Sequence, residues 1–145
     1  MDMNRNARGD VDKRPLLLLV DDDEDFLTVM REILLPRYDV ITLGDGGEFF
    51  ETVFEVNPDL ILLDVNMPGP DGFILCRRLK ALKRLRSIPV LFITGNLRDE
   101  DFIENLDAGG NAFLTKPVDT GELIDHIESL LASRTFVPFE EASLQ

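Results

Sequence analysis

The chain has one cysteine, no apolar run of bilayer length, and only 15 basic residues against 28 acidic ones. With Cys76 alone no intrachain disulfide can form, which fits a reducing compartment. Cys76 lies in a helical pattern, where it reads as a small buried apolar residue. No stretch nears the roughly 20 apolar residues that span a bilayer. The Leu16–Val20 run also falls short of a signal-peptide core of about 7–15 residues. The shortage of positive charge leaves a net −13, which disfavours direct contact with nucleic acid or an anionic membrane surface. Internal repeats and low-complexity tracts are missing as well. The expected location is the cytoplasm, with no membrane association and no direct nucleic acid binding. What is present suits one domain with one core: 145 residues, 44% hydrophobic and 30% charged.

Four short apolar runs each end on a polar group suited to phosphate chemistry. Leu16-Leu17-Leu18-Leu19-Val20 runs into Asp21-Asp22, and Leu60-Ile61-Leu62-Leu63 into Asp64. Val90-Leu91-Phe92-Ile93 runs into Thr94, and Ala112-Phe113-Leu114-Thr115 into Lys116. Unbroken apolar runs between amphipathic stretches predict buried parallel strands. Ligands of open parallel sheets bind at the carboxyl ends of the strands. One rim would thus gather three carboxylates, a hydroxyl and an ammonium, a set suited to metal-assisted phosphoryl chemistry.

Residues 1–14 are polar and aperiodic and read as a flexible N-terminal arm; 134–145 read as a C-terminal tail or the start of a linker. Between them, 15–133 form the domain. Asp23 is the expected N-cap of a first helix with the stripe Phe26, Val29, Met30, Ile33 and Leu34, ended near Pro36. A weaker strand at Val40–Leu43 precedes the stripe Phe49, Phe50, Val53, Phe54 and Val56. The third helix carries Leu75, Cys76, Leu79 and Leu82, with a basic outer face (Arg77, Arg78, Lys80, Lys83, Arg84) that reads first as solvated and second as a partner surface. A fourth at about 98–108 has the short stripe Phe102, Ile103 and Leu106, capped by Gly109-Gly110. Leu123, Ile124, Ile127, Leu130 and Leu131 mark the last, with His126 beside the stripe as a boundary residue. The pattern is α/β, a doubly wound (βα)5 unit with a five-stranded parallel sheet and helices on both faces.

Taken together, Val20-Asp21-Asp22, Asp64 with Met67-Pro68 and Asp71-Gly72, Thr94-Gly95 and Lys116-Pro117 resemble the receiver domain of two-component response regulators. The resemblance covers roughly 15–133. It departs from the common pattern at Pro70, often methionine, and at the switch aromatic Phe113, often tyrosine. It implies a flavodoxin-like sheet in the order 2-1-3-4-5 and a cis peptide at Lys116-Pro117. It implies phosphorylation of Asp64 by a phosphohistidine on a histidine kinase or histidine phosphotransfer protein. In such a site Asp64 is the nucleophile and Mg²⁺, which prefers hard oxygen ligands, is the cofactor. Its holders would be Asp22, Asp64, the backbone carbonyl of Asn66, and Asp21 directly or through water. Lys116 and Thr94 would contact phosphoryl oxygens, with Asn66 and Asn96 flanking the path of attacking water. Thr94 and Phe113 would switch the surface of the fourth helix, fifth strand and fifth helix, a surface that could support a phosphorylation-dependent homodimer. The chain would be a phosphoacceptor rather than an enzyme. Two alternatives stand beside this: a degenerate receiver that serves only as a docking module, and an aspartyl-phosphate phosphohydrolase. The second is disfavoured by Asn66, where such hydrolases carry an aspartate.

Overall fold

The structure is a computed structural model that describes residues 14–95 and 99–135, without the side chains of 99–102, 134 and 135. The expected arm (apart from Arg14), most of the expected tail, and Asn96 lie outside the described residues. Arg14 is tied down: its guanidinium donates to the carbonyls of Leu35 and Tyr38.

Strands and helices alternate strictly. They run β1 (Leu16–Val20), α1 (Glu24–Leu34), β2 (Asp39–Leu43), α2 (Phe49–Val56), β3 (Leu60–Asp64), α3 (Gly72–Ala81), β4 (Val90–Thr94), α4 (Asp99–Ala108), β5 (Ala112–Thr115) and α5 (Thr120–Thr135). The strands pair in parallel in the order β2-β1-β3-β4-β5, the expected flavodoxin-like topology. Every residue of β1, β3 and β4 is buried, which explains their continuous aliphatic runs. Alternate side chains face opposite layers. Leu18, Val20, Ile61 and Leu63 pack with α2, α3 and α4, whereas Leu17, Leu19, Leu60 and Leu62 pack with α1 and α5. Each such side chain contributes about 1.5–3 kcal/mol of burial free energy.

Helix starts follow local chemistry. Asp23 accepts from the Phe26 N–H and Asp71 from the Ile74 N–H, so each N-cap carboxylate satisfies an otherwise unpaired donor. Four expected stripes need correction. On α1 Leu27 is buried and Val29 is exposed. Leu82 and Phe54 are also exposed. On α4 the expected stripe fails at both members whose side chains are described: Ile103 and Leu106 are 64% and 63% exposed, whereas Asn105 and Ala108 are buried; the Phe102 side chain lies outside the described residues. Small groups decide this. A Cβ at Gly110 would lie 2.0 Å from Asn105 Oδ1 and 2.5 Å from the Phe92 ring, so glycine there lets the α4 end press on Phe92.

Candidate functional site at the carboxyl rim of the sheet

The rim is built from strand ends. Leaving β1, Asp21 donates its N–H to the Leu43 carbonyl, and its Oδ1 accepts from the Asp23 N–H at 2.9 Å. Its carboxylate is therefore held between the sheet and the first turn of α1. Asp64 is the last residue of β3. The loop beyond it folds back sharply, with Gly69 at φ +77° and the Gly72 N–H donating to the Val65 carbonyl. A Cβ at Gly72 would sit 2.2 Å from the Asp64 carbonyl oxygen, so only glycine permits this close approach.

Carboxylate oxygens of Asp21, Asp22 and Asp64 all lie within 4.8 Å of one another. Asp21 and Asp64 are buried and Asp22 is exposed. Burial first, then the neighbouring Asp21 carboxylate and, less so, Asp22 push the Asp64 carboxyl up to about 6. Lys116 and the Asn66 backbone N–H pull the other way. The ordering fits a carboxylate crowded by like charge in a low-dielectric pocket.

Lys116 enters from the loop after β5 through a cis Lys116-Pro117 peptide, as the resemblance implied. Its N–H donates to the Thr94 carbonyl at 2.8 Å, which fastens this loop to the end of β4. Its Nζ lies 2.9 Å from Asp21 Oδ2. That oxygen is buried without a directed hydrogen bond, so the ammonium serves it as a charge partner. The same Nζ stands 4.2 Å from the centre of the Phe26 ring, a cation–π contact. Phe26 had been expected only as part of a core stripe. Its aromatic type, just after an acidic N-cap, was the sole signal of this role.

Thr94 is buried, and its Oγ1 accepts from Asn66 Nδ2 at 3.2 Å. Phe113, half-buried on β5, packs 6.0 Å from the Phe92 ring. Asp21, Asp22, Asp64, Asn66, Thr94 and Lys116 are thus brought to one rim. Phe113 lies two residues back along β5 from Thr115, which pairs with Thr94. His126 lies on α5 and is not a member of the acidic cluster. Cys76 is buried, donates to the Ala108 carbonyl at 3.3 Å, and its thiol is pushed up to about 11 by burial.

A family model described as Response regulator receiver domain matches residues 17–128. The chain belongs to that family. Among curated relatives, the receiver is 35% identical over 127 residues to the DNA-binding dual master transcriptional regulator RpaA of Synechocystis sp., covering 86% of this chain and 52% of RpaA. It is 41% identical over 115 residues to the response regulator PleD of Caulobacter vibrioides, covering 79% of this chain and 25% of PleD. The chain spans about half or less of the length of these relatives. Among solved structures, it matches the signal receiver domain of a signal transduction histidine kinase from Syntrophus aciditrophicus. That match has TM-score 0.78 and 32% identity, over 86% of this chain and 96% of the other. It also matches the Vibrio cholerae chemotaxis protein CheY4 with TM-score 0.76 and 25% identity, over 81% and 98%. A receiver implies a histidine kinase or phosphotransfer partner. No helix among the described residues is long and apolar enough to cross a membrane.

Proposed function

We propose that this receiver, residues 15–133, takes a phosphoryl group onto Asp64 from a phosphohistidine of a sensor kinase or phosphotransfer protein in the cytoplasm. The observation that carries the reading is the juxtaposition of three carboxylates within 4.8 Å and an ammonium 2.9 Å from one of them. The donor set suits Mg²⁺: the ligand atoms are hard oxygens, Asp21 Oδ2 lacks a directed hydrogen bond, and Asp64 is driven toward its neutral form. Asp21, Asp22, Asp64 and the Asn66 carbonyl would hold the ion, whose charge would offset the anions brought together there.

The remaining work belongs to the chain's own groups. An oxygen of Asp64 forms a bond to phosphorus while the P–N bond to the donor histidine breaks. Lys116 exchanges Asp21 Oδ2 for a phosphoryl oxygen, and the Thr94 hydroxyl leaves Asn66 to donate to another. Phe113 then repacks toward the space behind Thr94. Added charge at the rim so becomes a change on the α4-β5-α5 surface, where partner docking or self-association responds. The protein acts as phosphoacceptor and does not turn over an external substrate.

Intact mass after incubation with a small acyl-phosphate donor and Mg²⁺ tests this. Wild type should gain one phosphate and Asp64→Asn none. Absence of a gain in wild type would leave a docking module, and catalytic turnover of a phosphomonoester would make the chain a hydrolase.

A further inference from the structure

Four groups at the rim close a circuit. Lys116 Nζ lies 2.9 Å from Asp21 Oδ2. The other oxygen of that carboxylate, Oδ1, accepts from the Asp23 N–H at 2.9 Å. Asp23 Oδ1 in turn accepts from the Phe26 N–H at 3.1 Å. The Phe26 ring then returns to Lys116, with its centroid 4.2 Å from Nζ. One carboxylate therefore holds the ammonium directly and, through the N-cap of α1, also fixes where the ring stands. Phe26 is half-buried and packs against the core on the α1–α5 side of the sheet, so the ring is braced from behind. A cavity of about 10 Å³ is lined by Asp21, Phe26 and Asp64, among others. The ring thus borders the same gap as the nucleophile, one that admits no more than about one water molecule.

Phosphoryl transfer asks Lys116 to leave Asp21. Its charge already reaches Asp64, whose ionisation it favours, yet its one ion pair among the described residues is with Asp21. Lysine carries a strongly hydrated ammonium on a flexible stem, and this side chain is 23% exposed. An ammonium released from Asp21 would be drawn outward into water. A ring face opposes that pull. Its quadrupole attracts a cation within about 6 Å of the centroid and does not demand the directed geometry of a hydrogen bond. From 4.2 Å, the ammonium can shift by about 2 Å and stay inside that range. A leucine side chain at the same place would fill space without supplying the field.

We propose that Phe26 is a positioning residue for phosphoryl transfer: its ring keeps the Lys116 ammonium at the rim while the ammonium exchanges Asp21 for a phosphoryl oxygen. The role rests on the reading of Asp64 as phosphoacceptor, and it adds to the reaction a side chain that acts only through Lys116.

Phosphoryl uptake from a small acyl-phosphate donor with Mg²⁺ tests this, followed by intact mass over time in wild type, Phe26→Leu and Phe26→Tyr. Circular dichroism verifies the folding of each variant. Phe26→Leu should lower the rate constant about 3–30-fold, the span of a partly desolvated cation–π contact. Phe26→Tyr, which keeps a ring, should recover it. In a Lys116→Met background the leucine substitution should change the residual rate by less than about twofold, because ring and ammonium act as one unit. A side chain that merely supported the fold would slow both backgrounds alike. Proton NMR needs no reaction: with metal chelated, the Lys116 ε-CH₂ protons held over the ring should resonate upfield in wild type and Phe26→Tyr, and at the ordinary lysine position in Phe26→Leu. Wild type that takes up no phosphate would remove the phosphoacceptor reading and this role with it. Wild type that takes up phosphate no faster than Phe26→Leu would overturn the positioning role alone. So would an equal loss in the Lys116→Met background, or ε-protons without an upfield shift.

Discussion

Replacing Asp64 by asparagine should stabilise the metal-free protein. The Asp64 carboxyl is 5% exposed and rises from 3.8 to about 6, first by burial and then by repulsion from Asp21. That rise corresponds to about 3 kcal/mol. Between those two values the folded protein keeps a proton that the unfolded chain has already released. Stability accordingly falls as pH rises through that window, and the full penalty is present above it. Asparagine keeps the shape and cannot ionise, so Asp64→Asn should gain about 2–3 kcal/mol at pH of about 7.5 and almost nothing near pH 4. Urea denaturation with a chelator, repeated at both pH values, measures the difference directly. Adding Mg²⁺ should raise wild type by about 2.7 kcal/mol at a hundredfold excess over its dissociation constant, and the variant by much less. A variant less stable than wild type near neutrality, or a gap that ignores pH, would refute the account of strain at this carboxylate.

Substitutions at three other positions separate the parts of the rim. Lys116→Met leaves buried Asp21 without its ammonium and should cost about 1–3 kcal/mol in urea denaturation, opposite in sign to Asp64→Asn, while slowing phosphoryl uptake. Gly72→Ala forces a methyl into the Asp64 carbonyl and should cost about 1–3 kcal/mol, read as a lowered urea midpoint. Phe26→Leu removes the ring beneath Lys116 and should lose about 0.5–2 kcal/mol. Phe26→Tyr should retain both stability and the rate of phosphate gain by intact mass.

The strands and the rim were legible because their signals are local. An aliphatic run with a polar terminus announces both the buried strand and the group it delivers, and alternation with helices fixes a parallel sheet. Asp21, Asp22, Asp64, Asn66, Thr94 and Lys116 meet for that reason. What sequence could not carry was choice among neighbours. Lys116 shares the rim with three carboxylates on paper, and only the fold of the loop after β5 sets it 2.9 Å from Asp21. Its second contact, the Phe26 ring, comes from α1. Helix faces failed where hydrophobicity was a poor guide to fit. On α4, Ile103 and Leu106 outrank Asn105 and Ala108 in hydropathy, yet the latter pair is buried, with Asn105 and Phe92 both crowding Gly110. Val29 and Leu27 differ too little in character for periodicity to rank them. The basic segment was visible at once, but only Arg77, Arg78 and Lys80 of it belong to α3; the helix ends at Ala81, so Lys83 and Arg84, expected on its outer face, lie beyond it.

The lone thiol offers a practical return. Because Cys76 is shut inside the α3–α4 layer and hydrogen-bonded to Ala108, it should ignore maleimides at neutral pH, where reactivity needs an accessible thiolate. A fluorophore or spin label can then be placed on a single introduced surface cysteine, at Ser129 for instance, without first building a cysteine-free background. Movements of α5 could be followed by that label in an otherwise unaltered protein.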